Sequence, residues 1–152
     1  MTDSATTAIT LRRASEEDFP AIEQLLRATK LPVDGVKDSL DSFVVAENGS
    51  DIVGVAGVER CRPYGLLRSV AVDPQMRGRG IGSALIERLI ADSKDKKIPE
   101  LYLLTTTAEK YFPAFGFTKI DRDKTPPEVQ NTSEFRDLCP SSATVMSRAL
   151  EQ

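Results

Sequence analysis

Apolar and polar residues alternate from Ile9 to Arg13, which predicts a first strand. The period then changes. Phe19, Ile22, Leu25 and Leu26 recur at helical spacing, so a first helix is predicted to reach about Lys30. Ser15 stands as its N-cap, and Glu16, Glu17 and Asp18 follow where the positive end of the helix favours acids. A connection comes next, with a short helix over Val36 to Leu40. Phe43 to Glu47 and Ile52 to Arg60 are strands joined by the hairpin turn Asn48-Gly49-Ser50. Pro63-Tyr64-Gly65 turns the chain into a third apolar strand, Leu66 to Val72, which Asp73-Pro74 ends. After a glycine-rich turn, Ile81 to Lys94 is helical, with Ile81, Leu85, Leu89 and Ile90 on one face and Glu87, Arg88 and Asp92 on the other. Pro99 to Thr106 is a buried strand, and Ala108 to Phe115 a short helix with Gly116 as its C′ residue. Phe117 to Asp121 is a strand, a polar segment from Pro126-Pro127 turns helical around Val129 and Phe135, and Ser142 to Leu150 closes the chain as a strand.

The order is β-α-β-β-β-α-β-α-β-β. Hairpins come first, and the β-loop-α-β stretch in the middle requires a crossover and a parallel pair. That predicts an α/β fold with a mixed central sheet and helices on both faces. Residues 1–8 are small and polar and read as a disordered tail without a signal peptide, leaving 9–152 as a single domain.

Composition narrows the function. A net charge of -3 gives no argument for a nucleic-acid partner. No stretch approaches the roughly 18 apolar residues that span a membrane. The chain has 2 cysteines, Cys61 and Cys139, and no histidine, so a metal-ligand set is not expected and reduced thiols in a cytoplasmic protein are the better reading. Without histidine, Ser-His-Asp and Cys-His chemistry are excluded, and any general base is a carboxylate, tyrosine, lysine, cysteine or positioned water.

The strongest local signal is Val70-Ala71-Val72-Asp73-Pro74-Gln75-Met76-Arg77-Gly78-Arg79-Gly80-Ile81-Gly82. A buried strand feeds a glycine-rich turn that opens a helix, so backbone N–H groups converge on one anion. Gly80 and Gly82 let a phosphate approach without Cβ atoms in the way, and Arg77 and Arg79 add charge at the rim. The spacing lacks the Lys-Ser/Thr of a Walker A loop and the three glycines of a dinucleotide fold. A merely flexible turn is the alternative.

These residues resemble the GNAT superfamily of N-acetyltransferases, whose hallmark Arg/Gln-x-x-Gly-x-Gly/Ala is matched by Arg77, Gly80 and Gly82. A second hallmark, a short helix ending in Gly-Phe, is matched over Ala108 to Phe117. The resemblance implies acetyl-CoA as cosubstrate. It implies a pyrophosphate on the amides of Arg79, Gly80, Ile81, Gly82 and Ser83, beside Arg77 and Gly78, and a pantetheine arm along Val70, Ala71 and Val72, with Phe112 nearby. It also implies an oxyanion donor among the N–H groups near Val70.

The family's usual acid, a tyrosine four residues before the glycine of Gly-Phe, falls on Phe112 here, and Tyr111 stands one position earlier. Tyr111 is either a displaced acid or a packing residue. The acidic residue many relatives carry near the start of the strand before the motif is replaced by Leu66-Leu67-Arg68-Ser69. Glu59 is the best substitute, on one face with Val53, Val55 and Gly57. It either takes the amine's proton or charge, or is a solvated strand end beside Arg60. Arg68 reads as a clamp for a substrate oxyanion, with Ser69 beside it, or as an exposed strand edge. Thr105, Thr106 and Thr107 offer hydroxyls to an acceptor, or are there for their β-propensity.

The runs Leu-Leu-Arg-Ser-Val-Ala-Val, Thr-Thr-Thr-Ala-Glu and Glu-Phe-Arg-Asp-Leu-Cys-Pro-Ser-Ser-Ala resemble a narrower subgroup associated with arsenic resistance and related to amino-acid acetyltransferases. That implies a small-molecule acceptor carrying an amine and an anionic group. A peptide amine, a silent acyl-CoA-binding regulatory domain and a homodimer all stay open.

Overall fold

The computed structural model describes residues 9–106, 108–132, 135–136 and 143–150. Among the described residues, seven strands form one sheet in the order β1-β2-β3-β4-β5-β7-β6. They are β1 (Ile9–Arg13), β2 (Phe43–Asn48), β3 (Asp51–Cys61), β4 (Tyr64–Val72), β5 (Glu100–Thr105), β6 (Thr118–Ile120) and β7 (Thr144–Ala149). The helices are α1 (Phe19–Ala28), α2 (Ile81–Asp95) and α3 (Pro127–Gln130). The described residues fall into two compact units, one of 9–57 with 69–89 and one of 58–68 with 90–150. β3 and β4 each contribute to both.

In the first unit, β1 and β3 flank β2 in antiparallel pairs, with Leu11 opposite Ala46 and Val45 opposite Val55. Gly49, at φ 66, closes the β2–β3 hairpin, and the register shifts between Ala46 and Glu47. One face of the sheet carries Phe43, Val45, Val55 and Ala71 and buries Ile22, Leu25 and Leu26 of α1. That face is tight. A Cβ at Gly57 would collide with the Phe43 ring. On the other face a Cβ at Gly54 would meet Ile81 at 3.0 Å and Leu85 at 3.1 Å, so the first turns of α2 cover it. The expected helices on both faces are present here.

The start of α1 is built differently from the simple cap the sequence suggests. Glu16–Asp18 form a 3-10 turn, and α1 begins at Phe19 with Pro20 in its first turn, where a missing N–H is harmless. Asp18 accepts from the Ser15 N–H at 2.8 Å and holds Arg12 bidentately at 2.7 and 2.8 Å. Arg12 also reaches both oxygens of Glu47, at 3.0 and 3.1 Å. One guanidinium therefore ties β1, the α1 entry and β2.

In the second unit β4 and β5 pair in parallel, Gly65 opposite Leu101 and Leu66 opposite Tyr102, as the crossover requires. β7 pairs antiparallel with β5 and with β6, Tyr102 and Thr118 both facing Ser147. An apolar layer of Cys61, Leu66, Tyr102, Val129, Phe135 and Val145 covers one face.

The helix expected over Ala108 to Phe115 shrinks to a 3-10 turn, Phe112–Phe115. Pro113 is the reason: inside an α-helix it removes an N–H and clashes with the preceding turn, whereas at the second position of a new turn it fits. Gly116 ends the turn at φ 88, in the left-handed conformation expected of it. Among its described residues the polar segment has one α-helical turn, α3. The N-terminal tail, Thr107 and Cys139 lie outside the described residues.

Candidate functional site: a glycine turn and a buried charge pair

The glycine turn belongs to the first unit. Asp73 closes β4, its N–H donating to the Val53 carbonyl at 2.8 Å and its carboxylate accepting from the Gln75 N–H at 2.9 Å. Gly78 and Gly80 then take φ values of 80 and 79, a region that penalises any side chain. A Cβ at either position would meet nothing within 4 Å, so the space over the turn is open to a ligand. Ala84 donates to the Gly80 carbonyl at 3.0 Å, which starts α2. The N–H groups of Ile81 and Gly82 lie in that first turn, ahead of any intrahelical acceptor. Arg77 and Arg79 are exposed beside them. Open backbone donors at a helix start, flanked by cations, fit a phosphate. The structure shifts one detail: the left-handed glycines are Gly78 and Gly80, and Gly82 is helical.

The strand leading to the turn is kinked. Ser69 is 8% exposed and left-handed, with φ 61, between Arg68 and Val70. A residue in that conformation interrupts the two-residue alternation of a strand. Beyond it, Ala71 packs into the α1 layer and Val70 and Val72 are half-buried.

In the second unit the structure joins two residues singled out in the sequence. Arg68 donates from Nη1 to Glu59 Oε1 at 3.0 Å. The Arg68 side chain is 1% exposed and that of Glu59 is 21%. Arg68 is therefore no exposed strand edge; its strand lies between β3 and β5.

Cys61 lies two residues from Glu59 on the same face, its thiol 3.8 Å from the Glu59 carbonyl. Burial pushes this thiol up to about 12, helped by the charges of Glu59 and Glu128 and opposed by Arg60. Burial likewise raises the Tyr102 phenol, whose ring meets Tyr64 edge-on at 5.6 Å. The sequence gives no sign of that tyrosine pair, which only the β4–β5 register brings together.

Thr105 accepts from the Ala108 N–H at 2.9 Å, so its hydroxyl helps shape the loop after β5, and Thr106 is exposed. Thr107 falls outside the described residues. Tyr111 is 40% exposed, with its ring against Phe112 at 5.3 Å and Phe115 at 5.2 Å. Phe112 is 8% exposed and packs on Phe117. Among the described residues, no group of His, Cys, Asp and Glu is arranged to hold a metal, and no helix is long and apolar enough to cross a membrane.

A turn that offers main-chain donors, set between a kinked strand and a helix in a mixed sheet, fits a ligand that carries a phosphate. The acetyltransferase (GNAT) domain family matches residues 39–119, and the chain belongs to it. A Mycobacterium tuberculosis relative named amino-acid acetyltransferase is 33% identical over 86% of this chain and 78% of its own length. An Escherichia coli protein of the same name is 28% identical over 76% of this chain, which spans only 28% of that longer protein. Among solved structures, one from Mycobacterium tuberculosis in complex with CoA superposes with a TM-score of 0.80 at 28% identity, covering 93% of this chain and 99% of that one. An N-acetylglutamate synthase from Neisseria gonorrhoeae, complexed with coenzyme A and N-acetyl-glutamate, has the same fold, with a TM-score of 0.83 at 20% identity over 95% of this chain and 35% of that one. Acetyl-CoA is the cosubstrate of this family.

Proposed function

We propose that this protein transfers the acetyl group of acetyl-CoA to the amine of a small, amino-acid-like acceptor, and that Glu59 meets that amine. The observation that carries the acceptor half is the Glu59 carboxylate. It is partly open to solvent, held from behind by a buried arginine, and set on an otherwise apolar face. A carboxylate there attracts an ammonium and takes its proton, directly or through a water. The freed amine attacks the thioester carbonyl, the carbon–sulfur bond breaks, and CoA leaves as a thiolate. A thiol of pKa about 8.5 makes the thiolate a fair leaving group even though Phe112 stands where relatives have a tyrosine. The phosphates sit over Arg77 to Ser83, with the pantetheine arm along Val70 to Val72.

The names of the Mycobacterium and Escherichia relatives support an amino acid as acceptor class. The narrower kinship with arsenic-resistance proteins rests on the three sequence runs quoted above, so the acceptor panel includes amino-acid-like oxyanions. The test measures free CoA thiol released from acetyl-CoA across amino acids and such oxyanions. An acceptor-dependent rate is expected, and Glu59→Gln lowers kcat/KM by about 10²–10⁴-fold. Tight acetyl-CoA binding with no acceptor-dependent release would point instead to a silent acyl-CoA-binding domain.

A further inference from the structure

We infer that Arg68 is a positioning residue that acts on the acceptor through Glu59, and is not itself the clamp for the acceptor's anionic group. This rests on the reading that Glu59 meets the amine. The geometry orders the pair. Both residues belong to one ladder face, Glu59 with Cys61 on β3 and Arg68 with Leu66 on β4, and Cys61 and Leu66 belong to the apolar layer. Of the two side chains only Glu59 has appreciable exposure, 21% against 1% for Arg68. A molecule arriving from solvent reaches the carboxylate first, with the guanidinium behind it.

Arginine stays charged in proteins, so a guanidinium this deep must be compensated. The contact at 3.0 Å contributes to that, and in the low dielectric of the apolar layer it holds the Glu59 carboxylate firmly. Two apolar residues would fill the same positions without the cost of desolvating a pair of charges. A buried arginine in contact with a half-open carboxylate is explained if the carboxylate has to stay aimed while an amine docks on it.

The experiment compares Arg68→Gln, Arg68→Lys, Glu59→Gln and the double variant Arg68→Gln/Glu59→Gln in the full chain. It measures kcat and KM for the best acceptor of the panel and for its carboxamide, which lacks the anionic group. Acetyl-CoA affinity by calorimetry and the thermal midpoint serve as folding checks. Arg68→Gln is expected to lower kcat by about tenfold or more, by the same factor for the acid and the carboxamide. Arg68→Lys recovers most of the loss. In the Glu59→Gln background, Arg68→Gln costs no more than about threefold further, because the carboxylate it aims is already gone.

A loss confined to the acid and expressed in its KM overturns the inference in favour of a direct anion clamp. An equal loss with and without Glu59 overturns it in favour of a purely structural role. If Glu59→Gln cripples the enzyme and Arg68→Gln does not, the inference alone fails. If Glu59→Gln is as active as the parent, the reading of the acceptor site fails with it.

Discussion

Cys61 decides at the level of one residue between two routes of acyl transfer. A thiol that carried the acetyl group would have to be a thiolate near neutral pH and open to the thioester. Cys61 is 9% exposed, and burial first, then the charges of Glu59 and Glu128, push it up to about 12. At pH 7 it is a protonated, apolar filler of the layer it shares with Leu66 and Tyr102. Cys61 is therefore no acyl carrier, in keeping with the proposed direct attack of the amine on acetyl-CoA. Cys61→Ala should keep kcat within about threefold and lose stability in proportion to the small volume removed. Initial-rate lines for the two substrates should intersect. Parallel lines, or a trapped acetyl group on residue 61, would refute direct transfer. Residue chemistry of this kind was only partly legible in the sequence. Glu59 and Arg68 stand out as charges among apolar neighbours, yet their mutual contact depends on the β3–β4 register, which the two charges do not declare by themselves.

At the level of elements, the glycine turn was legible because its signal is stereochemical. Only glycine takes φ near 80 without strain, so Gly78 and Gly80 declare the turn before any partner is known. The kink at Ser69 was not legible, since serine carries no such mark. In place of the helix expected over Ala108 to Phe115 the chain forms a 3-10 turn, because Pro113 does not fit inside an α-helix. The entry to α1 was legible in kind, with Ser15 followed by acids, but its strength comes from Arg12, on another element. That arrangement makes a pH prediction. The Arg12 guanidinium, aided by the Ser15 N–H and hydroxyl and opposed by burial, holds Asp18 down at about 2. Arg12 lowers Glu47 as well. A carboxylate depressed in the folded state stabilises fully above its unfolded value of about 3.9, and this contribution is lost as pH falls toward the folded value. The Asp18 share amounts to about 2 kcal/mol. Asp18→Asn should cost about that much in urea unfolding at pH 7, and the gap to the parent should close between about pH 4 and pH 2. A gap that stays constant down to pH 2 would show that the charge of Asp18 is not what stabilises this corner.

For the whole molecule, the alternation of strands and helices was readable and the strand order was not. β7 lies between β5 and β6, a placement set by long-range pairing. The division into two units, with an α1 layer in one and the Tyr102–Val129 layer in the other, was equally hidden. This division has a measurable consequence. β3 changes unit between Gly57 and Val58, and β4 between Arg68 and Ser69, in the middle of continuous strands. Neither unit can release its half of these strands without disturbing the other half, so unfolding should be one cooperative step. The chain offers its own probe. It has no tryptophan, and its 3 tyrosines, Tyr64, Tyr102 and Tyr111, all belong to the second unit. Tyrosine fluorescence therefore reports that unit alone, whereas far-UV circular dichroism reports both. Leu26 is fully buried in the α1 layer of the first unit. Leu26→Ala should cost about 2–5 kcal/mol and lower the thermal midpoint by about 5–15 °C. If the strands couple the units, the tyrosine signal must move by the same amount as the circular dichroism, although the cavity lies in the unit without tyrosines. A circular dichroism trace in two steps, with the tyrosine midpoint left at the parent value, would mean that the units melt separately and that continuity of β3 and β4 does not transmit the loss.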